Sequence, residues 1–251
     1  MNEYRFGGFK ILPPVVKNLL IINAIFFLAT IVLKKFDINL IDILGLHYLP
    51  SDKFKPYQII SYMFMHGSIG HIFFNMFALW MFGSAIENFW GPKRFIIYYL
   101  ITGIGAAVLH YVIVYYEMKP IMNIIDAYLS DPTSSENINR LLQIQDIGSI
   151  NPVDVLAKKM ELLNRPVIVG ASGALFGILI AFGWMFPNSQ ILLLIPPIPI
   201  KAKYFVIGYG VLELISGVSN MSGDDVAHFA HIGGMLFGFI LLKYWHVKRL
   251  N

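Results

Sequence analysis

Cysteine is absent from the 251 residues, which excludes disulfides and any thiol chemistry. Charge is scarce as well. Only 14% of the chain is Asp, Glu, Lys or Arg, whereas 57% is hydrophobic. Soluble domains carry about 25% charged residues. The scarcity is also local, because no charged side chain occurs in 18–33, 56–86, 95–116, 166–200 or 226–242. A transmembrane helix needs about 20 mostly apolar residues, so these runs are membrane-sized. They exclude an ordinary soluble domain and point to an all-α polytopic membrane protein whose solvent is the lipid bilayer. The net charge of +4 could suggest nucleic acid. The basic residues are instead scattered and flank the apolar runs, as topology signals do, so no nucleic-acid partner is expected. The first run ends in Lys34-Lys35 without a small-residue cleavage site, and it reads as a retained span.

The runs divide into six expected helices: 15–34, 61–87, 94–116, 170–186, 203–218 and 226–244. Pro187-Asn188 breaks the long fourth run. Pro196, Pro197 and Pro199 forbid a regular helix across 191–200, because proline lacks the amide hydrogen and clashes with the preceding turn. The fifth helix carries Glu213 at membrane depth, where a carboxylate should face the bundle interior or the far interface. With six spans both termini share a side. That side holds Arg5, Lys10, Lys17, Lys93, Arg94, Lys201, Lys203, Lys243, Lys248 and Arg249, and the other holds Asp224 and Asp225. The positive-inside rule therefore places both termini in the cytoplasm. The expected organisation is a cytoplasmic segment 1–14, a membrane domain 15–244 and a cytoplasmic tail 245–251. Between the third and fourth spans, 117–165 holds seven acidic and five basic side chains and reads as an outer-side insertion. Helix-like spacing at 121–129 and 153–163 makes it a small helical addition, not a separate domain.

Polar groups at depth cost a few kcal/mol unless they find partners, so they mark function. Three clusters stand out. His66, His71 and Asn75 lie in HGSIGHIFFN, with His71 and Asn75 on one helix face. Ser172 lies in GASGALFG, and His228 and His231 lie in AHFAHIGGMLFG. Small-residue pairs, Gly173 with Gly177 and Gly234 with Gly238, would let the fourth and sixth helices approach closely. Ser172 and His231 would then sit at similar depth. A serine hydroxyl becomes a nucleophile when a base takes its proton, and neutral imidazole suits that task. His71, Asn75 and the Ser172 amide could serve the oxyanion. Other readings stay open on the residues alone. Ser172 can be a packing residue, Asn75 interhelical glue, His66 an interfacial residue, and the histidine pairs metal ligands. No H-E-x-x-H and no carboxylate in that register supports a metal site.

The three clusters resemble the motifs of the rhomboid family of intramembrane serine proteases. The matches are H-x4-H-x3-N (His66, His71, Asn75), G-x-S-G-x3-G (Gly170, Ser172, Gly173, Gly177) and A-H-x2-H-x2-G (Ala227, His228, His231, Gly234). Similarity extends through Glu87, Gly91, Arg94 and Phe95 and through Pro199 to Tyr204, covering about 56–116 and 166–242. The resemblance implies a six-helix bundle with a water-filled cavity opening outward. It implies Ser172 as nucleophile, His231 as base in a dyad without a carboxylate, and His71, Asn75 and the Ser172 amide as oxyanion hole. His66 and His228 match polar positions near the site, and Gly234 and Gly238 match helix-packing positions. Transmembrane proteins would be the substrates, no cofactor or metal is called for, and a prokaryotic plasma membrane is the expected location. Two departures stand out. Tyr57-Gln58 occupies the place where many relatives carry Trp-Arg, and 117–165 is longer than the short loop expected there. A non-catalytic rhomboid-like protein that binds membrane helices is the alternative. A transporter is a more distant one, since neither internal repeats nor a path of ionisable residues is present.

Overall fold

The computed structural model describes residues 9–144, 147–165, 167–192, 197–219 and 227–250, and these are mostly helical. Six helices carry the apolar runs: α1 Pro14–Lys34, α2 Ile69–Trp90, α3 Pro92–Ser130, α4 Ser172–Met185, α5 Ala202–Ser219 and α6 His228–Tyr244. By length and composition, α1, α2 and α3 are long and apolar enough to cross a membrane, while α4 is shorter. Position 226, the acidic pair 224–225, Arg5 and Pro196 lie outside the described residues.

Local chemistry sets the helix ends. Pro14 occupies the first turn of α1, where a missing amide hydrogen costs nothing. The buried carboxylate of Glu87 accepts from the amides of Val15 and Val16 at 2.9 and 2.8 Å, so α2 caps α1 through a charged acceptor. The expected second span, 61–87, is interrupted at its start. A short helix Gln58–Ser61 and a tight turn Tyr62–Phe64 come first, and α2 begins only at Ile69. Ser68 explains the break, because its hydroxyl accepts from the His71 amide at 3.1 Å and caps the new helix. Leu79–Gly83 forms one π-helical turn inside α2.

The region 117–165 departs from expectation. Apolar spacing at 121–129 suggests a separate element, yet those residues continue α3, which runs 39 residues through Pro120. At 1.5 Å per residue the helix is about 58 Å long, well beyond a bilayer core of about 30 Å. Its far end joins the helices Ser135–Leu141 and Pro152–Asn164 around Ile125, Tyr128, Leu141, Ile147 and Val155. This cluster is distinct from the main core, which gathers Leu79, Phe95, Tyr98, Tyr99, Ala174 and Ile178 among others. The second of these helices matches the spacing read at 153–163.

Two small strand pairs tie the loops. β1 Leu46–His47 pairs antiparallel with β2 Val167–Ile168, Leu46 opposite Ile168. β3 Gln190–Leu192 pairs with β4 Pro199–Lys201 between α4 and α5, which agrees with the prediction that prolines exclude helix there. Gln58 organises the first loop. Its side chain is buried, donates to the carbonyls of Ile43 and Lys53 and accepts from the amides of His47 and Lys55. The Tyr57-Gln58 departure therefore has a structural use, holding the loop that carries β1.

Candidate active site

The approach to Ser172 is built by glycine. β2 leads into Gly170, whose amide donates to the Tyr62 carbonyl at 2.9 Å and whose φ is +123°. That backbone is strained for residues with a side chain. A Cβ there would also lie 2.6 Å from His71 Nε2 and 3.6 Å from Asn75 Nδ2. Glycine thus lets the chain pass directly over two polar groups of α2. Two residues later α4 begins at Ser172, so the amides of its first turn have no intrahelical acceptor.

Glycine also brings α6 to α4. A Cβ on Gly234 would meet the Gly173 carbonyl oxygen at 1.8 Å, and one on Gly238 would meet Gly177 Cα at 3.1 Å. On their other side Gly173 and Gly177 admit Ala106 and Thr102 of α3. The small-residue pairs read from the sequence thus pack three helices, not two.

This packing places His231 Nε2 2.8 Å from Ser172 Oγ. The imidazole is buried and stacks on Phe176, with centroids 4.3 Å apart and planes 11° apart. Its other nitrogen, Nδ1, lies 2.8 Å from Glu213 Oε2. A carboxylate can only accept, so Nδ1 carries the hydrogen and Nε2 presents its lone pair to the serine hydroxyl. His228 Nδ1 donates to the same Oε2 at 2.6 Å. The resemblance implied a dyad without a carboxylate, and the structure places the Glu213 carboxylate against His231. Glu213 is buried toward the bundle interior, one of the two placements expected of it, and sits on both histidines of α6. The signal was visible as one acidic residue in an apolar helix, but its partners lie 15 and 18 residues away on another helix.

His66 lies on the approach to α2, not on the helix, and its Nε2 accepts from Asn75 Nδ2 at 3.0 Å. The His66 and His71 rings meet edge to face at 4.9 Å. Ser172, His231, His71 and Asn75 therefore converge around Gly170 and the opening turn of α4, with His66 behind Asn75 and His228 behind Glu213. Such a group can transfer a proton from a hydroxyl to an imidazole and offer N–H donors beside it. Glu213, His228 and His231 also each offer a ligand atom within 4.8 Å of the others, a spacing that ligands of one cation share. The two hydrogen bonds account for that spacing on their own.

Apolar helices packed through glycine around a serine, two histidine pairs and a buried carboxylate define a helical membrane-type protein with a polar site inside its bundle. The chain matches the rhomboid domain over residues 53–247 and belongs to the rhomboid family. It is 25% identical over 197 residues to Rhomboid protein 1, mitochondrial, of Saccharomyces cerevisiae, covering 76% of this chain and 42% of that protein. It is 26% identical over 188 residues to RHOMBOID-like protein 12, mitochondrial, of Arabidopsis thaliana, covering 73% and 45%. Rhomboid protease GluP of Bacillus subtilis is 34% identical over 56 residues, 22% of this chain and 11% of that protein. The chain spans less than half the length of these relatives. Family and apolar helices together make it a membrane protein, whereas the mitochondrial names lend no support to the expected prokaryotic plasma membrane.

Proposed function

We propose that this protein is an intramembrane serine endopeptidase that hydrolyses peptide bonds in or near the transmembrane segments of other membrane proteins. The observation that carries the reading is the 2.8 Å contact of His231 Nε2 with Ser172 Oγ at the opening turn of α4. Ser172 is the nucleophile and His231 the general base, and no cofactor is needed. His71, Asn75 and the Ser172 amide bind the oxyanion of the tetrahedral intermediate. Their convergence on Gly170 favours that role.

The bundle is read as six spans with both termini on the lysine- and arginine-flanked side. Helix α4 supports a site at depth. Its 14 residues cover about 21 Å, less than a bilayer core of about 30 Å. With Pro187 at the interface, Ser172 lies inside the membrane, and a water-filled cavity opening outward must supply the hydrolytic water. Substrates with a small residue before the bond and helix-weakening residues after it suit such a cavity, because an extended backbone must reach Ser172.

The deciding measurement is reaction of the purified chain with a fluorophosphonate probe, alongside cleavage of a reconstituted transmembrane substrate. Wild type should label and cleave, and Ser172→Ala and His231→Ala should abolish cleavage. Absent labelling, or labelling that survives Ser172→Ala, would instead favour a rhomboid-like protein that binds membrane helices without cutting them.

A further inference from the structure

Glu213 is left over by a serine–histidine reading, and its surroundings are unusual for an acidic residue. Helix α5 is thinly attached, and its buried residues are Ala202, Val206 and Glu213. Its outer face carries Ile207, Val211, Leu212, Ile215 and Val218, all exposed. A carboxylate at membrane depth costs a few kcal/mol unless partnered. Its partners are the two imidazoles of α6, both donating Nδ1–H to one oxygen.

We propose that Glu213 is a positioning residue for hydrolysis, holding His231 in the tautomer and orientation that deprotonate Ser172; this rests on Ser172 being the nucleophile. The hydrogen bond to Oε2 keeps the proton on His231 Nδ1, and Phe176 fixes the ring plane. As Oγ bonds to the scissile carbonyl carbon, the carbonyl π pair moves to oxygen and the Oγ proton moves to Nε2. The resulting imidazolium faces the Glu213 carboxylate, which keeps its charge and takes no proton. When the intermediate collapses, the C–N bond breaks and Nε2 returns its proton to the leaving nitrogen. Among the described residues, the other titratable groups within electrostatic reach of this pair are His71 on α2, His110 on α3, His228 on α6 and Tyr209 on α5.

The test is the rate of fluorophosphonate labelling at Ser172, with kcat and KM for a transmembrane substrate, in wild type, Glu213→Gln and Glu213→Asp. The Gln variant should label about 10–10²-fold more slowly at neutral pH, with the loss in kcat and not in KM. The Asp variant keeps the charge and the acceptor and should restore kcat to within a few-fold of wild type. A Gln variant with unchanged kcat, or Gln and Asp variants that lose kcat alike, overturns the proposal. A second measurement needs no Glu213 variant. Wild type should show a strongly downfield imidazole N–H proton resonance that His231→Ala removes and His228→Ala spares, and its absence overturns the proposal too. If wild type does not label at all, the protease reading fails together with this one. Labelling with kcat unchanged by Glu213→Gln removes only Glu213.

Discussion

At Gly234 the structure leaves no room for even a methyl group. A Cβ there would stand 1.8 Å from the Gly173 carbonyl oxygen, and a backbone atom in a packed helix cannot step aside. Gly234→Ala should therefore cost about 1–3 kcal/mol by overpacking and push α6 away from α4. Thermal unfolding in detergent and the rate of Ser172 labelling check the two effects separately. A variant with wild-type values in both would mean that close helix approach is not what sets the Ser172–His231 contact. The oxyanion assignment is tested by individual side chains in the same way. His71→Ala and Asn75→Ala should each lower turnover by about 10²–10³, as expected when an oxyanion donor is removed. Unaltered cleavage by either variant removes that residue from the hole. Gly170 has a double constraint, its positive φ and the His71 ring above it, so no side chain can be introduced without disturbing the same donors.

The elements differ in how firmly they are held, and α5 is the loosest of those around the site. Besides Glu213 it is fastened by Val206, whose methyls fill the space left by Gly183 of α4. A Cβ built on Gly183 lies 3.1 Å from that of Val206, near the roughly 3.5–4.5 Å that a disulfide spans. Because the chain has no cysteine, the pair Gly183→Cys with Val206→Cys would form a single defined cross-link. If substrate helices enter past α5, oxidation should stop cleavage of a transmembrane substrate and reduction should restore it. Labelling by a small fluorophosphonate should persist in both states. Cleavage that is indifferent to oxidation would place substrate entry elsewhere. The elements also show what hydrophobic pattern can reveal. Among the described residues, each of the six apolar runs holds a helix, because lipid-facing and core-facing positions are both apolar and only the ends are polar. The ends were harder to place. A cap such as Ser68 divides an apolar run without changing its composition, and Pro120 is tolerated inside a helix where it suggests an ending. Glu213 was legible as a polar residue that needed an interior partner. Which partner it finds depends on how α5 lies against α6, and spacing along one chain does not encode that.

The two larger cores among the described residues have different duties. The main core surrounds α4 and joins the residues around the site, whereas Ile125, Tyr128, Leu141, Ile147 and Val155 pack at the far end of α3. The two are bridged by α3 itself, by the cluster of Tyr48, Val114 and Leu163, and by the Ser51–Asn164 hydrogen bond. Tyr128 is the keystone of the smaller core, since its ring is buried and its hydroxyl donates to the Ile150 carbonyl. Tyr128→Ala should remove about 3–5 kcal/mol from that core, by analogy with other large-to-small aromatic truncations. Such a loss can unfold the region locally, because stability is distributed by cooperative unit and not evenly through a chain. The site should be insulated, since none of its residues contributes to the smaller core. The expected result is new protease cleavage within 131–165, with Ser172 labelling within about twofold of wild type. If labelling falls together with protease resistance, the far end of α3 and the site form one cooperative unit. The β1–β2 pair would be the connection to examine, because it joins the loop that contacts Asn164 to the strand that leads directly into Ser172.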